Sequence, residues 1–163
     1  MNLLQKQNIL LTVRALYFCL DEHWAKLGRT FNLTPAQQHI LFLLSTNNGT
    51  LTPSQISQLG CWHCSTVTRL LRPLEKKGYI TLSVHPLKPR SKRVTLTHDG
   101  TEALKRVVEF VKKMDSFPFN LTHLPEKELI QFLKTGQQIL TAHKGVEFKE
   151  KVLEAKMEGM DYA

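Results

Sequence analysis

The chain has 163 residues, 42% hydrophobic and 22% charged, with a formal net charge of +8. That length suits one domain with helical arms and a sizeable core, and the apolar content excludes a disordered tail. No run approaches about 18 uninterrupted apolar residues, so a membrane span is excluded.

The apolar start, Ile9 to Leu20, is split by Arg14 and runs into Asp21 and Glu22. Without a small-residue cleavage site it is not read as a signal peptide. Cys19, Cys61 and Cys64 are the three cysteines. An odd and small number suits reduced thiols better than a disulfide framework, and a cytoplasmic protein is the expectation.

The position of the charge says more than its size. Between Gly60 and Arg93 lie eight basic residues (Arg69, Arg72, Lys76, Lys77, Lys88, Arg90, Lys92 and Arg93) against one acid, Glu75. The rest of the chain holds 14 basic and 13 acidic residues and is nearly neutral. Depletion of acid marks this window more than enrichment in base. It is either a solvated charged face or a surface for a polyanion.

In chain order, apolar residues at Val13, Leu16, Tyr17, Leu20, Trp24 and Leu27 predict a first helix from about Leu3 to Leu27. It is apolar on more than one side, which calls for burial against another chain or a large core. Two later helices open on Thr-Pro-x-Gln, at Thr34–Gln37 and Thr52–Gln55. Threonine caps, proline takes the first helical position and glutamine reaches back as a capping box. Leu51 and Ile56 are spaced as a hydrophobic staple around the second.

The first of these helices turns Ile40, Leu43 and Leu44 inward and ends near Asn47-Asn48-Gly49. The second is short and stops at Gly60. After a turn, a helix beginning at Ser65 carries Val67, Leu70, Leu71 and Leu74 on one stripe and Ser65, Thr66, Thr68, Arg69 and Arg72 elsewhere. Pro73 predicts a kink and Gly78 a stop.

The period then drops to two. Ile80, Leu82 and Val84, then Val94 and Leu96, read as a two-stranded hairpin around a proline-stiffened basic loop, His85–Ser91. Thr97 caps a helix bearing Leu104, Val107, Val108, Val111 and Met114, broken by Phe117-Pro118-Phe119. Another helix runs from near Pro125 to near Gly145, and a short helical tail is expected around Phe148 and Val152.

Short helix, glycine turn, polar-faced helix and hairpin, in that order, form a winged helix-turn-helix. A helix fits the major groove, and its N-terminal residues meet base edges first. The small hydroxyl residues Ser65, Thr66 and Thr68 allow close approach there, while Arg69 and Arg72 reach a guanine or a phosphate. Arg90 at the hairpin tip suits a narrow minor groove, with Lys88 and Lys92 beside it on the basic wing.

The segment from about Thr34 to Gly100 resembles the MarR family of bacterial transcription regulators. The resemblance is carried by Leu59-Gly60, Ser65-Thr66-Val67-Thr68-Arg69-Leu70, Leu74-Glu75-Lys76-Lys77-Gly78-Tyr79-Ile80, and Arg90 followed by Val94 through Gly100. The stretch holding Gly60, Trp62, His63, Ser65 and Thr66 is also similar to the Hpr (ScoC) branch of that family.

The resemblance implies a mainly α fold with a small β-hairpin: a winged helix-turn-helix flanked by long N- and C-terminal dimerisation helices. The expected division is residues 1–30, an N-terminal dimerisation helix; residues 31–100, the DNA-binding domain; and residues 101–163, the C-terminal dimerisation helices. It implies a homodimer on a pseudo-palindromic operator, acting as a repressor. Ser65, Thr66, Thr68, Arg69 and Arg72 would read the major groove and phosphates, and Arg90 the minor groove. Where the family often has an aspartate two residues before the wing arginine, this chain has Lys88, which alters how the wing is held.

Three other readings accompany this one. Cys61-Trp62-His63-Cys64 invites a thiol- or metal-responsive role, but one C-x-x-C lacks the further ligands zinc requires. Cys19, among Tyr17, Phe18 and Leu20, reads as a buried, inert thiol, with the reactive cysteine that peroxide-sensing family members keep in this helix as the alternative. Trp24 and His39 read as core, with an effector pocket as the alternative that ligand-responsive relatives suggest. A winged helix used for protein contact is a further alternative. No paired carboxylates, phosphate loop or nucleophile motif appears, so neither an enzyme nor a cofactor or metal site is expected.

Overall fold

The computed structural model describes residues 1–85 and 88–162, and side chains other than those of residues 85 and 88–91. The helix α1 runs Leu3–Phe31, α2 Pro35–Ser45, α3 Pro53–Leu59 and α4 Cys64–Lys76. Strand β1 is Thr50–Leu51, β2 Ile80–His85 and β3 Lys88–Leu96. Then come α5 His98–Lys112, α6 Glu126–Lys144, the short α7 Val146–Phe148 and a π-helical turn, Lys149–Leu153. The mainly helical class and the winged helix-turn-helix order are as expected.

The helix starts follow their local chemistry. Thr34 Oγ1 accepts from the Gln37 amide at 3.3 Å, and Gln37 Oε1 accepts from the Thr34 amide at 3.0 Å. The same reciprocal pair closes at Thr52 and Gln55, at 3.2 and 2.8 Å. Each box satisfies two backbone donors that a helix start otherwise leaves to solvent. Leu51 and Ile56, the staple, are both buried. Thr97 caps α5 through the Gly100 amide at 3.0 Å.

The core is built from residues 27–107, with Met157 of the C-terminal segment packed into it. Leu33, Ile40, Leu41, Leu43, Leu44, Ile56, Val67, Leu74, Ile80 and Val94 are its largest fully enclosed side chains. It draws on α2, α3, α4, the sheet and the first turns of α5, so the head is packed by helices crossing a small sheet. Gln38 is the buried polar group that ties the N-terminal arm to this head. Its Oε1 accepts from Trp24 Nε1 and its Nε2 donates to the Leu33 carbonyl, both at 2.9 Å. Both polar atoms of the amide are thus hydrogen-bonded, as a buried amide requires.

Several expectations are corrected. The wing is a three-stranded antiparallel sheet in the order β1-β3-β2, not a two-stranded hairpin. Two residues, Thr50 and Leu51, pair with Thr95 and Val94. A two-residue strand is too short to show alternation, and its partner lies more than 40 positions away in sequence. The strands also run further into the basic loop, since β3 begins at Lys88. Pro86 and Leu87, within the expected tip, lie outside the described residues.

The first helix extends past Leu27 to Phe31, and Asn32 ends it in the left-handed conformation, at φ 51°. Helix α4 continues through Pro73 to Lys76. The proline leaves the Arg69 carbonyl without its helical donor.

The three cysteines are all exposed, which overturns the expectation of a buried Cys19. Its neighbours Tyr17 and Phe18 are 61% and 53% exposed, because this stretch of α1 projects beyond the core of its own chain. An apolar neighbourhood in sequence buries a thiol only when a second surface closes over it.

Candidate nucleic-acid interface

Helix α4 is held from both ends and beneath. Beneath, Val67, Leu71 and Leu74 are buried in the head, with Leu70 half-buried beside them. At its start, the turn from α3 passes through Gly60, where an added Cβ would lie 2.2 Å from the Trp62 ring. The indole therefore needs glycine beneath it. Ser57 Oγ donates to the Trp62 carbonyl at 2.6 Å and fixes the same turn. At its end, Gly78 takes φ +72°, a left-handed conformation glycine adopts without strain. The Lys77 ammonium donates to the Asn32 carbonyl at the end of α1.

This support leaves the opposite face of α4 open. Ser65, Thr68, Arg69 and Arg72 are exposed and Thr66 is half-buried. The five expected readers on α4 therefore share one helix and rise from its solvent side. Their hydroxyls are not equally free. Thr68 Oγ1 donates to the Cys64 carbonyl at 3.1 Å, one turn back, so its proton is already used. Ser65 Oγ lies 2.8 Å from His63 Nδ1.

Ion pairs gather elsewhere. Lys26 meets Glu22, Lys105 meets Glu102, Lys112 meets Asp161, Lys149 meets Glu154 and Lys151 meets Glu147. Glu75, the acid of the basic window, is exposed near the C-terminal end of α4, away from the N-terminal readers. Arg69 and Arg72 thus present their charge to solvent from a helix whose other side is locked.

On the wing, Lys92 and Arg93 are both exposed. Being adjacent on β3 they point to opposite faces of the sheet. Lys92 shares the face of the buried Val94, beyond the edge of the core, and is paired across the sheet with Val84. Lys88 and Arg90 belong to β3, and the roles expected for their side chains lie outside the described residues. Lys77, one of the window's cations, is directed to α1 instead of outward.

Sequence reasoning missed His63. The helix begins at Cys64, one residue before the expected Ser65, and His63 is its N-cap. Histidine is not among the residues that usually cap helices, so composition did not mark it. The signal that could have found it is the spacing itself, since a ring nitrogen can accept from an amide two residues on.

The junction between arm and head is aromatic. The His39 ring stands 6.1 Å from that of Trp24 and 5.1 Å from that of Trp62. Burial pushes the His39 imidazole below its ordinary value of 6.5. Trp24 and His39 also line two cavities, of about 300 and 340 Å³. The two side chains thus pack at the junction and line its cavities. The metal alternative finds no such support: among the described residues no group of three or more His, Cys, Asp or Glu is gathered.

Comparison with known proteins bears on the same region. The MarR family model matches residues 33–87, from the start of α2 into the wing. The HTH-type transcriptional regulator Hpr of Geobacillus thermodenitrificans is 29% identical over 127 residues, covering 78% of this chain and 62% of Hpr. The DNA-binding transcriptional repressor ScoC of Bacillus subtilis is 29% identical over 96 residues, covering 59% of this chain and 47% of ScoC. The chain therefore spans about half to three-fifths of these relatives.

In fold, it is similar to a mutant MarR from E. coli solved with operator DNA, with a TM-score of 0.72 at 17% identity over 86% of this chain and 99% of that one. No helix among the described residues is long and apolar enough to cross a membrane. The segment matched by the MarR family model forms the helix-turn-helix and enters the wing, so this part of the chain is similar to that family.

Proposed function

We propose that this chain is a sequence-specific double-stranded-DNA-binding regulator that acts as a homodimer on a pseudo-palindromic operator, most simply as a repressor. The observation that carries the reading is the open face of α4. Ser65, Thr66, Arg69 and Arg72 rise from a helix whose apolar side is buried and whose two ends are pinned. A helix so fixed enters the major groove without further ordering, and its guanidinium groups suit guanine or phosphate. Lys92, Lys88 and Arg90 on the wing would contact the flanking backbone and minor groove.

The homodimer is supported by the arms. Leu3, Leu4, Ile9, Leu10, Leu11 and Val13 on α1 are all more than half exposed, as are Ile130, Phe132, Leu133 and Ile139 on α6. Apolar surface on this scale marks a protein interface. The repressor assignment rests on the similarity to ScoC, a DNA-binding transcriptional repressor. A small apolar effector would act at the cavities around Trp24 and His39, where arm and head meet.

The test is selection of bound fragments from genomic DNA by the full chain, followed by titration at several salt concentrations. The expected site has two half-sites about one helical turn apart. Affinity falls steeply with salt, with a slope near minus ten if about ten phosphates are contacted. Salt-independent binding, or no selected fragment, overturns the reading. The protein-contact alternative is disfavoured by the exposed Arg69 and Arg72, which such a surface does not require.

A further inference from the structure

We infer that His63 is a specificity-determining reader of the DNA, donating from Nε2 to an acceptor on a base edge. The inference rests on the proposed DNA-binding function and adds a residue whose chemistry is set by its place at the start of α4.

His63 is the N-cap of the helix that carries the other readers, in extended conformation at φ −73° and ψ 145°. Its Nδ1 accepts from the Ser65 amide at 3.4 Å and lies 2.8 Å from Ser65 Oγ. A ring nitrogen that accepts from an amide holds no proton. The neutral ring therefore carries its single proton on Nε2, and Ser65 Oγ donates to Nδ1. The tautomer is selected by the cap itself.

Nε2–H is then a directed donor on the far side of the ring from the helix. The residue is exposed. A recognition helix enters the groove N-terminus first, so its cap stands at the leading end, ahead of Ser65 and Thr66.

A donor of fixed tautomer discriminates between bases. It pairs with purine N7, guanine O6 or thymine O4, and it opposes the amino groups of adenine N6 and cytosine N4. Arginine at position 69 or 72 also reaches phosphate, and the Thr68 proton is spent inside the helix. His63 offers a single outward donor, held at the ring position that the cap defines.

The experiment compares the full-length wild type with His63→Asn on all single-base variants of the selected operator, and on operators carrying 7-deazapurines at each purine. Asparagine at the cap supplies Oδ1 to the Ser65 amide in place of Nδ1, and has no atom at the position of Nε2. His63→Ser, also a good and uncharged cap, serves as the second variant in case asparagine perturbs folding.

The expected result is an unchanged melting temperature and salt slope, with preference at one base pair in each half-site reduced about fivefold to 100-fold. The 7-deaza or base substitution that hurts the wild type at that position leaves the variant unaffected. A specificity profile identical to wild type overturns the assignment. So does uniform weakening on every sequence, which is the mark of a phosphate contact. Failure of the wild type to select any operator overturns the DNA-binding function and this assignment with it.

Discussion

The head and the arms use the same kind of apolar periodicity to opposite ends. In the head, the stripes of α2, α3, α4 and the sheet close on one another, and Ile40, Leu43, Leu44, Ile56 and Val94 are fully enclosed. In the arms, the stripes remain open: Leu10 on α1 is 66% exposed and Leu133 on α6 is 58% exposed. Helix α6 contributes no buried residue. A repeat of leucines therefore specifies a helix with a sticky side in both places, but only the head supplies its own partner. The polarity follows the same division, since α4 keeps a charged face to spare while the arms spend their charges on pairs such as Lys26–Glu22.

The contrast can be broken first at the head. Leu44→Ala removes a fully enclosed side chain and is expected to cost about 2–5 kcal/mol in chemical denaturation. The same truncation at exposed Leu133 should leave the unfolding of a monomer nearly unchanged. The arms are tested by charge. Leu133→Glu should raise the dimer dissociation constant by about 30-fold or more, as loss of a central contact of about 2 kcal/mol would, read by sedimentation. A chain already monomeric at micromolar concentration would remove the arms from the dimer.

Next in size, Arg69→Ala should weaken operator binding by about 1–3 kcal/mol where it reads a base, with stability unchanged because the side chain is exposed. Thr52→Ala removes the cap of α3, which spans seven residues, and should cost about 1 kcal/mol of stability.

The smallest effect concerns the junction. The folded His39 holds its proton less tightly than an unfolded histidine, whose value is 6.5. Stability is therefore full above about 6.5 and declines as the pH falls through the folded value, where the unfolded chain binds the extra proton. His39→Gln should flatten that acid limb of a melting-temperature profile. An unchanged limb would assign it to other groups.

Much of this was legible before any coordinates. The two Thr-Pro-x-Gln boxes close as expected because capping is a contact between residues three apart. The switch from helical to alternating period located the wing, and the acid-poor window coincides with the open face of α4. Strand β1 was not legible, because its register depends on β3 and not on its own two residues. The cap at His63 was hidden for a related reason: histidine is not a usual cap, and the choice fell to the geometry of the turn over Gly60.

The sequence by itself determined the local rules: where helices start, which residues alternate, and where positive charge stands without acid. Tertiary structure decided which of those rules have consequences. It enclosed Leu44 and exposed Leu133, though both are leucines on amphipathic helices, because burial requires a second surface. It spent Lys77 on the Asn32 carbonyl and left Arg69 and Arg72 to solvent, though all belong to one basic window. It also chose the tautomer of His63, since a proton's place on a ring is set by the group that faces it.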